Sequence, residues 1–288
     1  MISVKFYFLL VISIVLYIKT HAHLKSPIIS IEEAFRKNKI ILEIKGKGEH
    51  KGNSASIVSK NISNEAIILH LEYGRRLMCS DSSMQDLLIV KEQLITLTPN
   101  ETKTNDAFAF CCESTDRSPQ KDINFSVGKM APPEWIKLAE VINKNNFPID
   151  AIQHAIWVLS NNHEIASVHS DKMDDVYELR KTLAEIKGIE LPWYNIYYLK
   201  DTSSLFSGKH YLLKGDINYI KKNNGITSIQ VRDKNGRIMN ALVKNSSEGP
   251  GNYSYHVNLN IKGWPKGEYQ ILIFEDSSQL IFKKTFTL

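Results

Sequence analysis

Short β-prone runs separated by turn residues dominate the chain from Lys39 to Val127. The runs include "IILEIKG", "AIILHLEYG" and "NDAFAFCCES", and Gly, Asn, Asp and Ser stand between them. Runs of this length and punctuation are typical of antiparallel sheets packed face to face. The glycines of Gly46–Gly52 lack the spacing of a phosphate-binding loop and precede a strand pattern, so they predict a hairpin turn. We therefore predict an N-terminal antiparallel β-sandwich.

The hydrophobic pattern changes to a helical period between residues 132 and 188. A first helix starts at Pro132 and Pro133, and a second follows Pro148, because proline is tolerated in a first helical turn. A third is expected to begin near Asp171 as its N-cap and to stop at Gly188. The pattern thus predicts three helices attached to the sandwich.

Alternating strand patterns return near the C-terminus, with turns at Asp233–Gly236 and Asp276–Gln279. The fold class expected is mainly β with an α-helical segment. We expect residues 23–190 to form the sandwich with its helices, 191–208 a linker, and 209–288 a second β-sandwich.

The N-terminus "MISVKFYFLLVISIVLYIKTHAHLK" has a lysine, a short apolar run and small residues at Thr20-His21-Ala22. This order predicts a signal peptide over residues 1–22, with an uncleaved signal anchor as the alternative. The apolar run is short for a membrane span, which takes about 20 residues. We expect a secreted or cell-surface protein with no stable membrane insertion after signal removal.

Charge and cysteine content narrow the functional classes further. The net charge is +5, and lysines are scattered without the basic and aromatic platform of nucleic-acid binders, so no nucleic-acid partner is expected. The three cysteines, Cys79, Cys111 and Cys112, form an odd set. Neighbouring cysteines bond each other only through a strained ring, so we expect Cys79 to bridge to one of the pair.

The last 70 or so residues resemble a known domain type. The order "IQVRDKNGRIMNAL", "GPGNYSYHVNL" and "WPKGEYQILIFEDSSQLIFKKTFTL" is similar to the Ig-like domain of the flagellar hook-capping protein and to type IX secretion sorting tails of Bacteroidetes. The resemblance implies a C-terminal Ig-like β-sandwich, a bacterial source, and a role as an export signal or spacer.

Gln153 stands on the second predicted helix, between its apolar arc and Trp157. "IQHAIW" resembles the glutamine motif of bacterial surface thioester domains, and Phe110-Cys111 resembles the matching cysteine motif. This resemblance implies a thioester between Cys111 and Gln153, with His154 as a possible proton acceptor and Cys79 with Cys112 as the disulfide. The alternative is a structural amide that bonds main-chain groups and ties helix to sheet.

A second resemblance covers residues 40 to 165. Gln85-Asp-Leu87, a cysteine-containing strand and the "QxAIW" helix are similar to exported bacterial proteins of unassigned role. That likeness implies a fold and no activity.

Other chemistry receives little support from the sequence. "HEIASVH" fails the zincin spacing, so His163 and His169 are expected to be solvated loop histidines, and neither a metal site nor a cofactor is predicted. The aromatic run Trp193–Tyr198 would suit sugar stacking or an interdomain seal. The function expected is non-enzymatic adhesion or interaction with an unknown surface or extracellular partner. A covalent thioester adhesin is the first alternative, and a carbohydrate-binding or hydrolytic protein the second.

Overall fold

The computed structural model describes residues 26–200 and 205–288. The fold is mainly β, with 48% strand and 19% helix, which confirms the predicted class of β-sheets with a helical segment. The predicted signal peptide lies outside the described residues. No helix in the described part of the chain has both the length and the apolar character that a membrane crossing requires.

The described residues contain sixteen strands and four α-helices. The strands are β1 (Ile28–Ser30), β2 (Ile40–Lys47), β3 (Asn53–Asn61), β4 (Ile67–Leu71), β5 (Arg75–Cys79), β6 (Leu87–Ile89), β7 (Gln93–Leu97), β8 (Thr102–Cys111), β9 (Lys121–Met130), β10 (Tyr194–Tyr198), β11 (His210–Lys221), β12 (Gly225–Asp233), β13 (Ile238–Glu248), β14 (Gly251–Asn260), β15 (Glu268–Glu275) and β16 (Gln279–Thr287). The helices are α1 (Ile31–Arg36), α2 (Pro133–Lys144), α3 (Ile149–Ser160) and α4 (Tyr177–Lys187).

The chain divides into two compact units. Of the described residues, the first takes in 26–42, Val58–Leu71 and Gln93–Thr104. It contains α1 and a sheet in the order β1-β4-β7, with β1 parallel and β7 antiparallel to β4. Ser30 caps α1 by accepting a hydrogen bond from the Glu33 N–H at 3.1 Å, which satisfies one of the donors a helix start leaves open.

The second unit takes in Glu43–Ile57, Glu72–Glu92 and Asn105–Leu288. Within the part of the chain predicted as an N-terminal sandwich, six strands close into a barrel in the order β2-β3-β8-β6-β5-β9. The predicted hairpin turn at Gly46–Gly52 is confirmed, because β2 ends at Lys47 and β3 begins at Asn53. Closure removes the exposed edges that an open sheet would leave.

Strand alternation gives the barrel two different faces. Leu77, Leu87 and Cys111 pair across β5, β6 and β8 and are fully buried. Residues directly opposite in an antiparallel pair share a face, so these three side chains point to the same side. The next residues along, Leu88, Phe110 and Cys112, belong instead to the core that α2, α3 and α4 complete. The helices therefore cover the outer face of β6 and β8.

The three predicted helices are present, and the end of the third is confirmed. Gly188 caps α4 in the left-handed conformation, with φ 64°, which glycine adopts without a Cβ clash. The predicted N-cap at Asp171 is wrong. A 3₁₀ turn at Met173–Val176 precedes the helix, so α4 begins at Tyr177.

The C-terminal region is a sandwich of two antiparallel sheets, β10-β11-β14 and β13-β12-β15-β16, around one hydrophobic core. The predicted turns at Asp233–Gly236 and Asp276–Gln279 lie between β12 and β13 and between β15 and β16, as expected. Strand β10 lies within the segment predicted as a linker. The sandwich therefore takes its first strand from before the predicted boundary.

A buried ion pair joins the two sheets of this sandwich. The Lys221 ammonium on β11 lies 3.0 Å from Glu275 Oε1 on β15, and both side chains are at most 4% exposed. Lys221 also donates hydrogen bonds to the Gly225 carbonyl at 3.1 Å and to Thr227 Oγ1 at 3.2 Å. Removing both charges from water is costly, so each depends on its partner.

We predict that Lys221→Met lowers the free energy of unfolding by about 3 to 5 kcal/mol, because it leaves the Glu275 carboxylate buried without a counter-charge. The double variant Lys221→Met/Glu275→Leu is expected to recover most of that loss. Urea unfolding of the three proteins measures both effects. A single variant as stable as the native protein would contradict the prediction.

Candidate functional site

The side chain of Gln153 is hydrogen-bonded to the main chain of Cys111. Gln153 Oε1 accepts from the Cys111 N–H at 3.2 Å, and Gln153 Nε2 donates to the Cys111 carbonyl at 2.8 Å. Gln153 is 2% exposed and Cys111 fully buried. The structure thus brings together the two residues that the sequence suggested as thioester partners. The same contact is what the structural-amide alternative expects.

The contact forms where β8 extends past the start of its neighbour β3. Cys111 is the last residue of β8, while β3 begins only at Asn53. The preceding hairpin reaches the same edge, since the Cys111 N–H also donates to the His50 carbonyl at 2.9 Å and the Ala109 N–H to the Gly52 carbonyl at 2.8 Å. The Cys111 carbonyl receives its hydrogen bond from Gln153, which takes the place of a strand residue there.

The Gln85-Asp-Leu87 motif lies on the other side of Cys111. Leu87 pairs with Cys111 between β6 and β8. The Gln85 side chain accepts from the Glu113 N–H at 3.1 Å and donates to the Asp116 carbonyl at 2.9 Å. These bonds fix the loop after β8. The three sequence elements of the second resemblance therefore meet at one place.

Helix α3 holds the cysteine segment at a second point. The Asn161 side chain, at the C-cap of α3, accepts from the Ser114 N–H at 3.0 Å. Ser114 Oγ also lies 3.0 Å from His163 Nε2. Residues 111 to 114 are thereby fixed to α3 at two points, Gln153 within the helix and Asn161 at its C-cap.

The three cysteines are free thiols, so the expected Cys79–Cys112 bridge is absent from the structure. Strand β6 separates the two residues, since Cys79 ends β5 and Cys112 follows β8. Two strand spacings amount to about 9.5 Å, beyond the Cα separation a disulfide spans. The alternation of side chains also turns the two thiols to opposite faces of the sheet.

Burial raises the pKa of the Cys111 thiol far above its ordinary value, with smaller contributions from Cys112 and Glu113. A buried thiol without a cation beside it stays protonated. Any reaction at Cys111 therefore needs a neighbouring base.

His154, the proton acceptor considered from sequence, belongs to a different cluster. Its ring packs edge-on against Trp157 at 5.6 Å and lies 6.3 Å from His169. Successive residues of a helix point about 100° apart, so His154 turns away while Gln153 faces β8. The rings that pack against His154 are those of Trp157, His169 and Phe206.

Glu113 is the ionisable residue that sequence reasoning missed. Burial raises the pKa of its carboxyl to about 7, although the hydrogen bond from the Asp86 N–H acts to lower that pKa. That N–H donates to Glu113 Oε2 at 2.8 Å, and Arg76 lies 3.4 Å from Oε1. A carboxylate directly after a cysteine doublet was the signal available in the sequence, but its burial depends on the loop that Gln85 holds.

The loop histidines His163 and His169 are half-buried and packed against aromatic rings, in contrast to the solvated side chains expected. His163 stacks on Phe206 at 4.0 Å and His169 packs on Tyr197 at 4.1 Å. Burial lowers the pKa of His154 and of His163 to about 4, and it lowers the pKa of His169 in the same direction. These side chains are neutral near pH 7 and help to fill an aromatic cluster.

The remaining candidates are placed as follows. No group of His, Cys, Asp and Glu side chains among residues 26–200 and 205–288 is arranged to hold a metal ion.

In the aromatic run, the Trp193 indole donates to the Thr285 carbonyl at 2.7 Å and the Tyr194 hydroxyl to the Thr287 carbonyl at 3.1 Å. Tyr194 and Ile196 are buried in the sandwich core. Trp193 and Tyr194 thus join the start of β10 to β16 across the two sheets of the sandwich.

Comparisons with known proteins add no family. No family model matches the chain, and no curated protein matches it. Similar solved structures include a β-glucosidase from Kluyveromyces marxianus in complex with glucose, at 8% identity and a TM-score of 0.18, with 81% of this chain and 44% of that one covered. They also include the CBM51-2 and INT domains of ZmpB from Clostridium perfringens, at 10% identity and a TM-score of 0.16, with 91% and 99% covered. The chain spans less than half of the β-glucosidase. Neither likeness carries an argument at these TM-scores.

We predict that the protein loses stability as the pH falls from 6.5 towards 4. In that window the unfolded chain binds protons at His154, His163 and His169 that the folded protein excludes, so the free energy of unfolding decreases with decreasing pH. For His154 the shift corresponds to about 3 kcal/mol once the window is crossed. Denaturant unfolding at a series of pH values measures the slope. His154→Phe should make the dependence of the free energy of unfolding on pH shallower. An unchanged slope would show that His154 does not contribute to it.

Proposed function

We propose that this is an exported, non-enzymatic adhesion protein whose attachment becomes covalent through a thioester between Cys111 and Gln153. The observation that supports it is the pair of hydrogen bonds by which the Gln153 carboxamide is held on Cys111. The resemblance of "IQHAIW" and Phe110-Cys111 to bacterial surface thioester domains was drawn from sequence, and the contact fits it. Export and a location outside the cell follow from the predicted signal peptide and belong to the same proposal.

Thioester formation would exchange one bond for another. Cys111 Sγ bonds to the side-chain carbonyl carbon of Gln153, the bond from that carbon to Nε2 breaks, and ammonia leaves with the thiol proton. The carboxamide must give up a main-chain hydrogen bond to approach the thiol. The fold holds the Gln153 carboxamide beside the main chain of Cys111. The Cys111 side chain points to the face of the sheet away from α3, so the carboxamide must also turn towards that face before the two groups react.

The proton of the Cys111 thiol would pass to Glu113 in this proposal, not to His154. Burial raises the pKa of Glu113 to about 7, and the negative charge of Glu113 contributes to the raised pKa of the Cys111 thiol. A base with a pKa near the working pH is suited to accept a proton and then to release it. It would deliver the proton to the departing ammonia.

Burial supports the persistence of such a bond. Cys111 is fully buried and Gln153 is 2% exposed, and their chain neighbours Phe110, Cys112, Ile152 and Ile156 belong to the core that α3 completes. Water is excluded there, and exclusion of water suppresses hydrolysis of reactive intermediates. The bond would then wait for an amine on the target surface, whose identity the chain does not reveal.

The intact mass of the native protein under non-reducing conditions, before and after methylamine, tests the thioester. We expect a mass lower by one ammonia, and the addition of one methylamine after treatment. Cys111→Ala and Gln153→Ala should each show the full mass of the chain and no reaction. A native mass with a free thiol and an intact amide at these residues would leave Gln153 as a structural amide and the adhesion non-covalent.

We also predict that Gln153→Glu lowers the free energy of unfolding by about 1 to 3 kcal/mol, because an ionised carboxylate cannot donate to the buried Cys111 carbonyl. Gln120→Glu is the matched control, since Gln120 is exposed. Denaturant unfolding compares the two variants in proteins that also carry Cys111→Ala, so that no thioester contributes. Equal midpoints would show that the contact does not hold in solution.

A further inference from the structure

The hairpin between β2 and β3 lies against the Cys111–Gln153 contact. Its residues 48 to 52 run along the edge of β8, where the His50 carbonyl accepts from the Cys111 N–H and the Gly52 carbonyl from the Ala109 N–H. Gln153 and His50 share the same donor, the Cys111 N–H. Movement of this hairpin would therefore uncover the contact.

Glycines with positive φ bound the hairpin at both ends. Gly48 has φ 84° and Gly52 has φ 80°, in the left-handed region that other residues avoid. A Cβ on Gly52 would meet its nearest atoms at 3.9 Å, so the backbone conformation and not lack of space calls for glycine. Glycine at these two positions allows the backbone to enter and leave the five-residue turn.

One ion pair links the hairpin to α3. Lys51 Nζ pairs with Asp150 Oδ1 in the first turn of the helix. Asp150 is 75% exposed, while Lys51 is 32% exposed. Asp150 and Gln153 are three residues apart on a helix, a spacing that places their Cβ atoms about 5 to 6 Å apart. A carboxylate open to solvent thus stands beside the residue that would carry the acyl group.

The groups around Asp150 keep its carboxyl ionised. The hydrogen bond from Lys51 and the charge of its ammonium group lower the pKa of Asp150, against the effect of partial burial. The carboxylate is therefore ionised at neutral pH. Its present partner is a primary ammonium group, the same chemical group that a lysine on a target surface presents.

We propose that Asp150 is the docking site for the ammonium group of the amine substrate, and that Lys51 on the 48–52 hairpin occupies this site until the substrate displaces it. This inference rests on the proposed thioester function and names the residue that selects cationic amines. In the reaction the docked ammonium loses a proton, its nitrogen bonds to the Gln153 carbonyl carbon, and the carbon–sulfur bond breaks. The Cys111 sulfur takes up the proton.

The rate of thioester opening by two nucleophiles of different charge tests the docking role. Methylamine is a cation near neutral pH, whereas hydroxylamine is uncharged there. Asp150→Asn should slow the reaction with methylamine about two- to fivefold, the range of an exposed ion pair, and leave the reaction with hydroxylamine as fast or faster. Lys51→Met should speed both reactions. Lys144→Met, which breaks the exposed pair with Glu140, is the control and should change neither.

Equal slowing of both nucleophiles by Asp150→Asn, or no effect on either, would overturn the docking role. If the native protein reacts with neither nucleophile, it forms no thioester. In that case both the proposed function and the docking role fail. Hydrogen exchange then decides the role of the hairpin by itself. Lys51→Met should speed exchange at the Ala109 and Cys111 amides relative to Lys144→Met, and unchanged exchange would show that Lys51 does not hold the hairpin closed.

Discussion

Two hydrogen bonds between the Gln153 side chain and the Cys111 main chain set the relation between helix and barrel in this protein. They solve a local problem of the barrel, because β8 continues where β3 has not yet begun. A buried carbonyl left there without a donor would cost about 1 to 3 kcal/mol. A carboxamide carries a donor and an acceptor in one plane, as a peptide group does, and thus continues the strand pairing.

Once α3 is fixed at Gln153, the neighbouring features follow from helix geometry. Its apolar residues complete the core over Phe110 and Cys112, and its C-cap Asn161 holds Ser114. His154, one residue on, is turned towards Trp157 and the histidine cluster. Asp150, one turn before Gln153, reaches the surface and meets Lys51. A single helix therefore presents a buried amide, an exposed carboxylate and a neutral imidazole on three sides.

The cysteines show how far position decides chemistry. Cys111 and Cys112 are adjacent in sequence but point to opposite faces of one strand, and Cys79 lies two strands away from both. Each thiol is separated from the others, so no two of the three cysteines are placed to form a disulfide. Burial keeps the Cys111 thiol protonated. Any reaction of this thiol would therefore depend on Glu113 as the base and on the position of the Gln153 carboxamide.

The hydrophobic pattern alone predicted the mainly β class, the three helices, the stop at Gly188 and the turns of the hairpins. These depend on residues close in sequence, since periodicity, proline and glycine act over one or two turns. The pairing of Cys111 with Gln153 was also suggested by short motifs. Closure of the barrel, the face of each cysteine and the burial of Glu113, His163 and His169 were decided by tertiary structure. They depend on which strands become neighbours, and strand neighbours in a β-sheet come from distant parts of the chain.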